Sequence, residues 1–259
     1  MDKHIGAQYF TIREHTKTIE DFDASCKKIA DIGYKIVQIS GTPLAAADMR
    51  PILDKYGLKC VTTHKGYGDF INDIDGVIEY NRTLGCDLCG LGSMPESHFM
   101  SDEGITKFIE EIKPVCERLK AEGMYFGYHN HAFEYVRRNG RIPFDRLVEE
   151  TDPEVFCFIL DTYWVQSGGR CPEKEIERLG KRVMAVHFKD YTIEAIGWTA
   201  PARMTHVGEG NLNWDAIIEA CEKAGTRWAL VEQDGNHIDS DPFKALTLSY
   251  NYLTTKGFC

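Results

Sequence analysis

No apolar run in this 259-residue chain approaches the roughly 20 residues that a helix needs to cross a bilayer, so a helical membrane protein is excluded. The opening MDKHIGAQYF has neither the basic segment nor the long apolar stretch of a secretory leader, and we expect a cytoplasmic protein. Positive charge is also short: 30 Lys and Arg face 40 Asp and Glu, a formal net charge of −10, with no long basic cluster. Nucleic-acid binding rests on neutralising phosphates with Lys and Arg. A nucleic-acid partner is therefore not expected; a neutral or weakly charged small molecule is. The nine cysteines are odd in number and scattered, and the single C-x-x-C pair, Cys86 and Cys89, has no second pair to complete a zinc site. Reduced thiols follow. No linker, low-complexity stretch or break in composition divides residues 1–259, which we read as a single domain.

What is present is a rhythm. Short apolar runs alternate with amphipathic stretches: strands at 5–12, 34–40, 58–63, 86–91, 124–130, 155–160, 183–188 and 227–231. Helices are expected at 18–32, 43–56, 71–84, 105–121, 143–150, 172–179, 214–224 and 242–255, with a long loop at about 190–212. Such alternation demands parallel strands joined by crossover helices. Eight repeats in this length fit a closed (β/α)8 barrel. An open doubly wound sheet would usually carry a GxGxxG turn after its first strand, and HIGAQYFTIRE has none.

In such barrels the chemistry sits at the C-terminal ends of the strands. Those ends are polar here: His64 after the third, His129, His131 and Glu134 after the fifth, Asp161 after the sixth, His187 on the seventh and Glu232 after the eighth. Imidazoles and carboxylates collected in one place suit a divalent metal or acid–base chemistry. Each residue alone has a blander explanation. Asp161 could cap the following helix, His187 could be a hydrogen-bonded core residue, and Glu232 could pair with Lys189 or Arg203. Their occurrence on four consecutive strand ends favours a metal site. His206 and Glu209, in the long seventh loop, are assigned to substrate rather than metal, and His4, His15, His98 and His237 to structure. Trp164, Trp198 and Phe133 are candidates for the pocket wall.

The segments YHNHAFEY, LDTYW, VHFKDY, VGEGNLNW and VEQD, in this order along nearly the whole chain, resemble those of the xylose isomerase-like TIM-barrel superfamily, the sugar phosphate isomerase/epimerase family. The resemblance implies a (β/α)8 fold and a metal held by residues on strands five to eight. Asp161, His187 and Glu232 match the last three of those ligands. At strand five the family's usual glutamate is replaced by His129, in an HNH sequence similar to a YHNHxFE subgroup that includes isomerases and lyases of oxidised sugars. Glu134 is expected to complete the set, because carboxylates neutralise a dication best, with an imidazole as the alternative.

The activity implied is sugar isomerisation or epimerisation by proton abstraction next to a carbonyl, through a metal-stabilised enediolate. Elimination from an oxidised sugar or inosose, including 3-keto-glycoside cleavage, is the alternative. His131 or Glu232 is the expected base, near the reference imidazole pKa of ~6.5 for His131, and Lys189 the expected electrostatic support. His64, His129, Trp164, His206 and Glu209 are expected to bind substrate. The cofactor is Mn, Zn, Mg, Co or Fe, and the partner a small sugar or polyol-derived substrate, with a homo-oligomer possible. An endonuclease IV-like nuclease and a non-catalytic sugar-binding barrel are the rivals; the first needs a basic groove.

Overall fold

The computed structural model describes residues 1–259. Ten strands form: β1 (Gly6–Gln8), β2 (Ile36–Ile39), β3 (Lys59–Lys65), β4 (Leu88–Leu91), β5 (Tyr125–His129), β6 (Phe156–Asp161), β7 (Val183–Phe188), β8 (Asp190–Ile193), β9 (Ala202–Thr205) and β10 (Trp228–Val231). Eight of them close into a parallel barrel in the order β1-β10-β7-β6-β5-β4-β3-β2, while β8 and β9 pair as a separate antiparallel hairpin. Outside lie α1 (Ile19–Ile32), α2 (Ala46–Lys55), α3 (Tyr67–Asn72), α4 (Ile74–Leu84), α5 (Glu96–Phe99), α6 (Asp102–Ala121), α7 (Pro143–Glu150), α8 (Thr162–Ser167), α9 (Pro172–Leu179), α10 (Trp214–Ala224) and α11 (Pro242–Thr255). The (β/α)8 barrel expected from the alternation is the fold observed.

The helices bury one stripe each. In α6 the residues Ile105, Phe108, Ile112, Val115, Cys116 and Leu119 recur at helical spacing and are buried, and Ser101 accepts from Gly104 N at 2.9 Å to start the helix. These stripes meet the outward faces of the strands in one apolar cluster of 60 buried residues. A second cluster of nine, among them Ile36, Leu88, Ile159, Ala185 and Leu230, fills the barrel interior. The close approach of strands there requires glycine: a Cβ on Gly90 would stand 2.2 Å from Thr63 O and 2.8 Å from Ile159 Cδ1.

Side chains on a strand alternate in direction, so two residues beyond each apolar layer the interior turns polar. Leu230 is followed by Glu232, Ile159 by Asp161, Ala185 by His187 and Gly127 by His129. The register pairs Asp161 with His187, and His187 with Leu230. The period-two pattern thus delivers one buried polar layer at the barrel's C-terminal mouth.

Several boundaries differ from those expected. The run at 5–12 is a strand only to Gln8; the Gln8 side chain accepts from Phe10 N at 2.6 Å and turns residues 9–15 into a 3-10 helix. The helix expected at 71–84 is two, because Asp73 leaves helical geometry (φ −148°) and its carboxylate accepts from Gly76 N to cap α4. The loop at 190–212 contains the β8–β9 hairpin, anchored by buried Asp190, whose carboxylate accepts from Gly208 N, Gly210 N, Leu212 N and Trp214 Nε1. All nine cysteines are free thiols, buried except Cys171 and Cys259. No helix is long and apolar enough to cross a membrane.

Candidate active site

Four residues of the mouth layer, His129, Asp161, His187 and Glu232, are buried and each offers a ligand atom within 4.8 Å of the others. The protonation of the two imidazoles is set from behind. His129 Nδ1 lies 2.9 Å from Gly92 O and His187 Nε2 lies 2.7 Å from Gln38 Oε1, so each outer nitrogen carries the hydrogen and donates it to an acceptor. Their inner nitrogens point at carboxylates. His129 Nε2 stands 3.4 Å from Asp161 Oδ2 and 4.0 Å from Glu232 Oε2, and His187 Nδ1 stands 2.8 Å from Glu232 Oε2. Neither His187 Nδ1 nor Glu232 Oε2 makes an aligned hydrogen bond, although Lys189 Nζ lies 2.9 Å from that oxygen. Imidazole nitrogens and carboxylate oxygens converging in one buried place are the donor atoms that a metal ion would take up.

The charge count agrees. Lys189 Nζ lies 3.0 Å from Asp161 Oδ2, 2.9 Å from Glu232 Oε2 and 2.9 Å from Asp234 Oδ2, so one ammonium faces three carboxylates. Carboxylate oxygens outnumber the ammonium and are at hand for a second cation. Burial alone would raise the Asp161 and Glu232 carboxyls, but Lys189, with His129 beside Asp161 and His187 beside Glu232, holds both below the usual range. Burial likewise pulls His187 down, whereas at His129 the Asp161 and Glu232 carboxylates overcome burial and raise it. The donor set of two imidazoles and two carboxylates fits Mn, Zn, Mg, Co or Fe.

Asp161 and Glu232 fill their blander roles as well. Asp161 Oδ1 accepts from Trp164 N at 2.9 Å and caps α8, leaving Oδ2 for the cluster. Glu232 Oε1 accepts from Gln8 Nε2 at 2.8 Å, while Arg203 pairs instead with Glu194. The structure does not bring Glu134 into the group. A 3-10 turn over Phe133–Tyr135 folds it back beneath the site, where Oε1 accepts from Tyr128 Oη at 2.6 Å and Oε2 from His131 N at 2.8 Å. Full burial raises its carboxyl to about 7 against the pull of those two hydrogen bonds.

A cavity of about 350 Å³ opens beside the cluster, with Phe10 its one apolar lining residue. His64, His129, His131, Lys189 and Glu232 line it, as does Asp234, to which no role was assigned from sequence. His131 stacks on Phe133 with ring centroids 5.1 Å apart, packs against Trp164 at 5.4 Å, and keeps a buried Nδ1 without a partner. Burial, then the neighbouring His129, pull it down to about 3, so it is neutral and does not titrate near 6.5 as expected. His64 Nε2 is also buried and unpartnered, its ring 5.1 Å from that of His129. His206 and Glu209 lie 4.0 Å from each other and outside the cavity lining, and Trp198 is fully exposed near the tip of the hairpin. Gln8, Gln38 and Asn130, whose Oδ1 accepts from Asp161 N, were missed as supports. Period two on β1 and β2 marks the first two, and the same spacing marks Asp234 two residues after Glu232.

The model of the family described as xylose isomerase-like TIM barrel matches residues 26–248. The chain belongs to that family. Among curated proteins it is similar to an inosose dehydratase of Lacticaseibacillus casei, 25% identical over 168 residues, covering 60% of this chain and 55% of that one. The match thus spans little more than half of that relative's length. Among solved structures, a sugar phosphate isomerase/epimerase of Parabacteroides distasonis superposes with TM-score 0.79 at 21% identity, covering 97% of this chain and 93% of the other. A xylose isomerase-like TIM-barrel protein of Mycobacterium smegmatis, in complex with magnesium, gives 0.76 at 12% identity, covering 97% and 95%. Members of the family therefore share this barrel at low identity.

Proposed function

We propose that this xylose isomerase-like barrel is a metal-dependent lyase that removes water from a small keto-polyol or keto-sugar by taking the proton next to its carbonyl. His129, Asp161, His187 and Glu232 are read as the ligands, with His129 in the place first given to Glu134. The observation that carries the choice of reaction is strand five. Its inward position holds an imidazole, and the one carboxylate nearby, Glu134, is committed to Tyr128 and the His131 amide. Two facing carboxylates that pass a proton from one side of a substrate carbon to the other are therefore missing. The inosose dehydratases among the relatives support the same direction.

A divalent ion at this site supplies Lewis-acid polarisation of the substrate's carbonyl and adjacent hydroxyl. His131, neutral and with an unpartnered nitrogen, accepts the proton from the carbon. The C–O bond at the next carbon then breaks, and the hydroxyl leaves as water with that proton. Lys189 Nζ, inside the cavity wall, stabilises negative charge on the carbonyl oxygen. His64 Nε2 is free to bind a hydroxyl. A polar cavity of about 350 Å³ suits one polyhydroxylated ring.

Isomerisation is the second reading, favoured by one feature: Glu232 and His131 both line the cavity, so two proton-handling groups face the same space. Incubating the protein and Mn²⁺ with keto-inositols and ketoses separates the two. Dehydration gives a product lighter by one water in the mass spectrum, with a conjugated ultraviolet band. Turnover that conserves mass throughout the panel would reject the lyase reading in favour of isomerisation.

A further inference from the structure

The ammonium of Lys189 and the inner imidazole nitrogens converge on the same two oxygens. Lys189 Nζ is 3.0 Å from Asp161 Oδ2 and 2.9 Å from Glu232 Oε2, the atoms that His129 Nε2 and His187 Nδ1 face. A divalent ion on those oxygens would stand beside a unit positive charge in a buried, weakly screened site, where like charges repel strongly. Of its three carboxylate neighbours, the ammonium is aligned as a hydrogen-bond donor with only one, Asp234 Oδ2 at 2.9 Å. Asp234 is also held from its own backbone, since Arg13 donates to Asp234 O at 3.2 Å. Its other carboxylate oxygen, Oδ1, is buried and unpartnered, so it has room for a second hydrogen bond from the same ammonium.

We propose that Lys189 competes with the divalent ion for Asp161 Oδ2 and Glu232 Oε2, and that Asp234 is the positioning residue that draws the ammonium aside and so sets the metal affinity of the site. With the ion in place Lys189 turns to Asp234 and stays at the cavity wall, where a substrate oxygen meets it. Remove the Asp234 charge and the ammonium falls back on the ligand oxygens. Remove the ammonium and Asp234 has nothing left to position. This inference rests on the ligand set proposed above and adds to it two residues that govern its affinity without ligating.

The test is a double-mutant cycle read by Mn²⁺ binding, using calorimetry on the metal-stripped full chain, with no substrate or turnover involved. Lys189→Met is expected to tighten Mn²⁺ binding about tenfold or more, and Asp234→Asn to weaken it by a similar factor. In the Lys189→Met background Asp234→Asn should weaken binding at least fivefold less than in the wild-type background. Lys189→Gln, which keeps a polar head, repeats the cycle should the methionine variant fold poorly. Equal weakening by Asp234→Asn in both backgrounds overturns the proposal, because Asp234 would then act by its own charge. Weaker binding on removing Lys189 overturns it too. If wild type and Lys189→Met both take up no Mn²⁺, the ligand set itself is wrong, and the competition falls with it.

Discussion

Replacing Glu134 by Gln keeps the side chain's shape and removes its charge, and the structure fixes what that should do to stability. Burial raises the Glu134 carboxyl from an ordinary value of 4.5 to about 7, opposed by the Tyr128 hydroxyl and the His131 amide that bind the carboxylate. An acid whose folded pKa lies above its unfolded one favours the fold in its protonated form. Its contribution is fully present below pH ~4.5, declines as the unfolded chain ionises first, and is lost as pH rises through about 7. Each unit of gap is worth about 1.4 kcal/mol, so wild type should lose roughly 3 kcal/mol relative to Glu134→Gln across that window. Urea unfolding of both proteins, metal-free, at intervals from pH 4.5 to 8 measures the difference, and subtraction cancels every other titrating group. Parallel stability curves would refute the reasoning: Glu134 would then be ionised at ordinary cost, in contact with water or a cation rather than enclosed beneath the site.

Three further outcomes follow from the same geometry. His131→Ala should lower turnover by roughly 10²–10⁴-fold, the usual worth of a general base, while Mn²⁺ content measured by elemental analysis stays at the wild-type level. Asp161→Asn should lose the metal but keep the cap on α8, whereas Asp161→Ala loses both; metal-free unfolding should separate the two variants by about 1 kcal/mol. Gly90→Ala places a Cβ 2.2 Å from Thr63 O inside the barrel, and thermal unfolding should show a loss of roughly 1–3 kcal/mol or more.

The barrel was legible because its signal is repetitive. Each apolar run is flanked by an amphipathic stretch, and period two carries the polar residue at each strand's end into the mouth, so Asp161, His187 and Glu232 were placed from sequence alone. The hairpin was not legible. Its residues are largely exposed, from Ile193 and Ile196 to Trp198, and Asp190, which ties the segment down, acts through backbone amides some 20 residues away. The position of Glu134 was hidden for a related reason. Whether a carboxylate five residues past the end of the strand core returns to the metal layer or tucks beneath it depends on the 3-10 turn at Phe133–Tyr135 and on the hydroxyl of Tyr128, an outward-facing strand residue. Asp234 was visible in VEQD, two residues from Glu232, but its partner Lys189 lies 45 positions away in sequence.

The proposed ligand set is tested most directly by where a divalent ion sits. Crystals of the wild-type protein grown with Mn²⁺, with data collected at the manganese edge, locate it directly. One anomalous peak is expected about 2.0–2.4 Å from His129 Nε2, His187 Nδ1 and the carboxylates of Asp161 and Glu232, with Glu134 still bound to Tyr128 and outside ligand distance. A peak ligated by Glu134 with His129 turned away, or saturating Mn²⁺ with no peak at the barrel mouth, would contradict it.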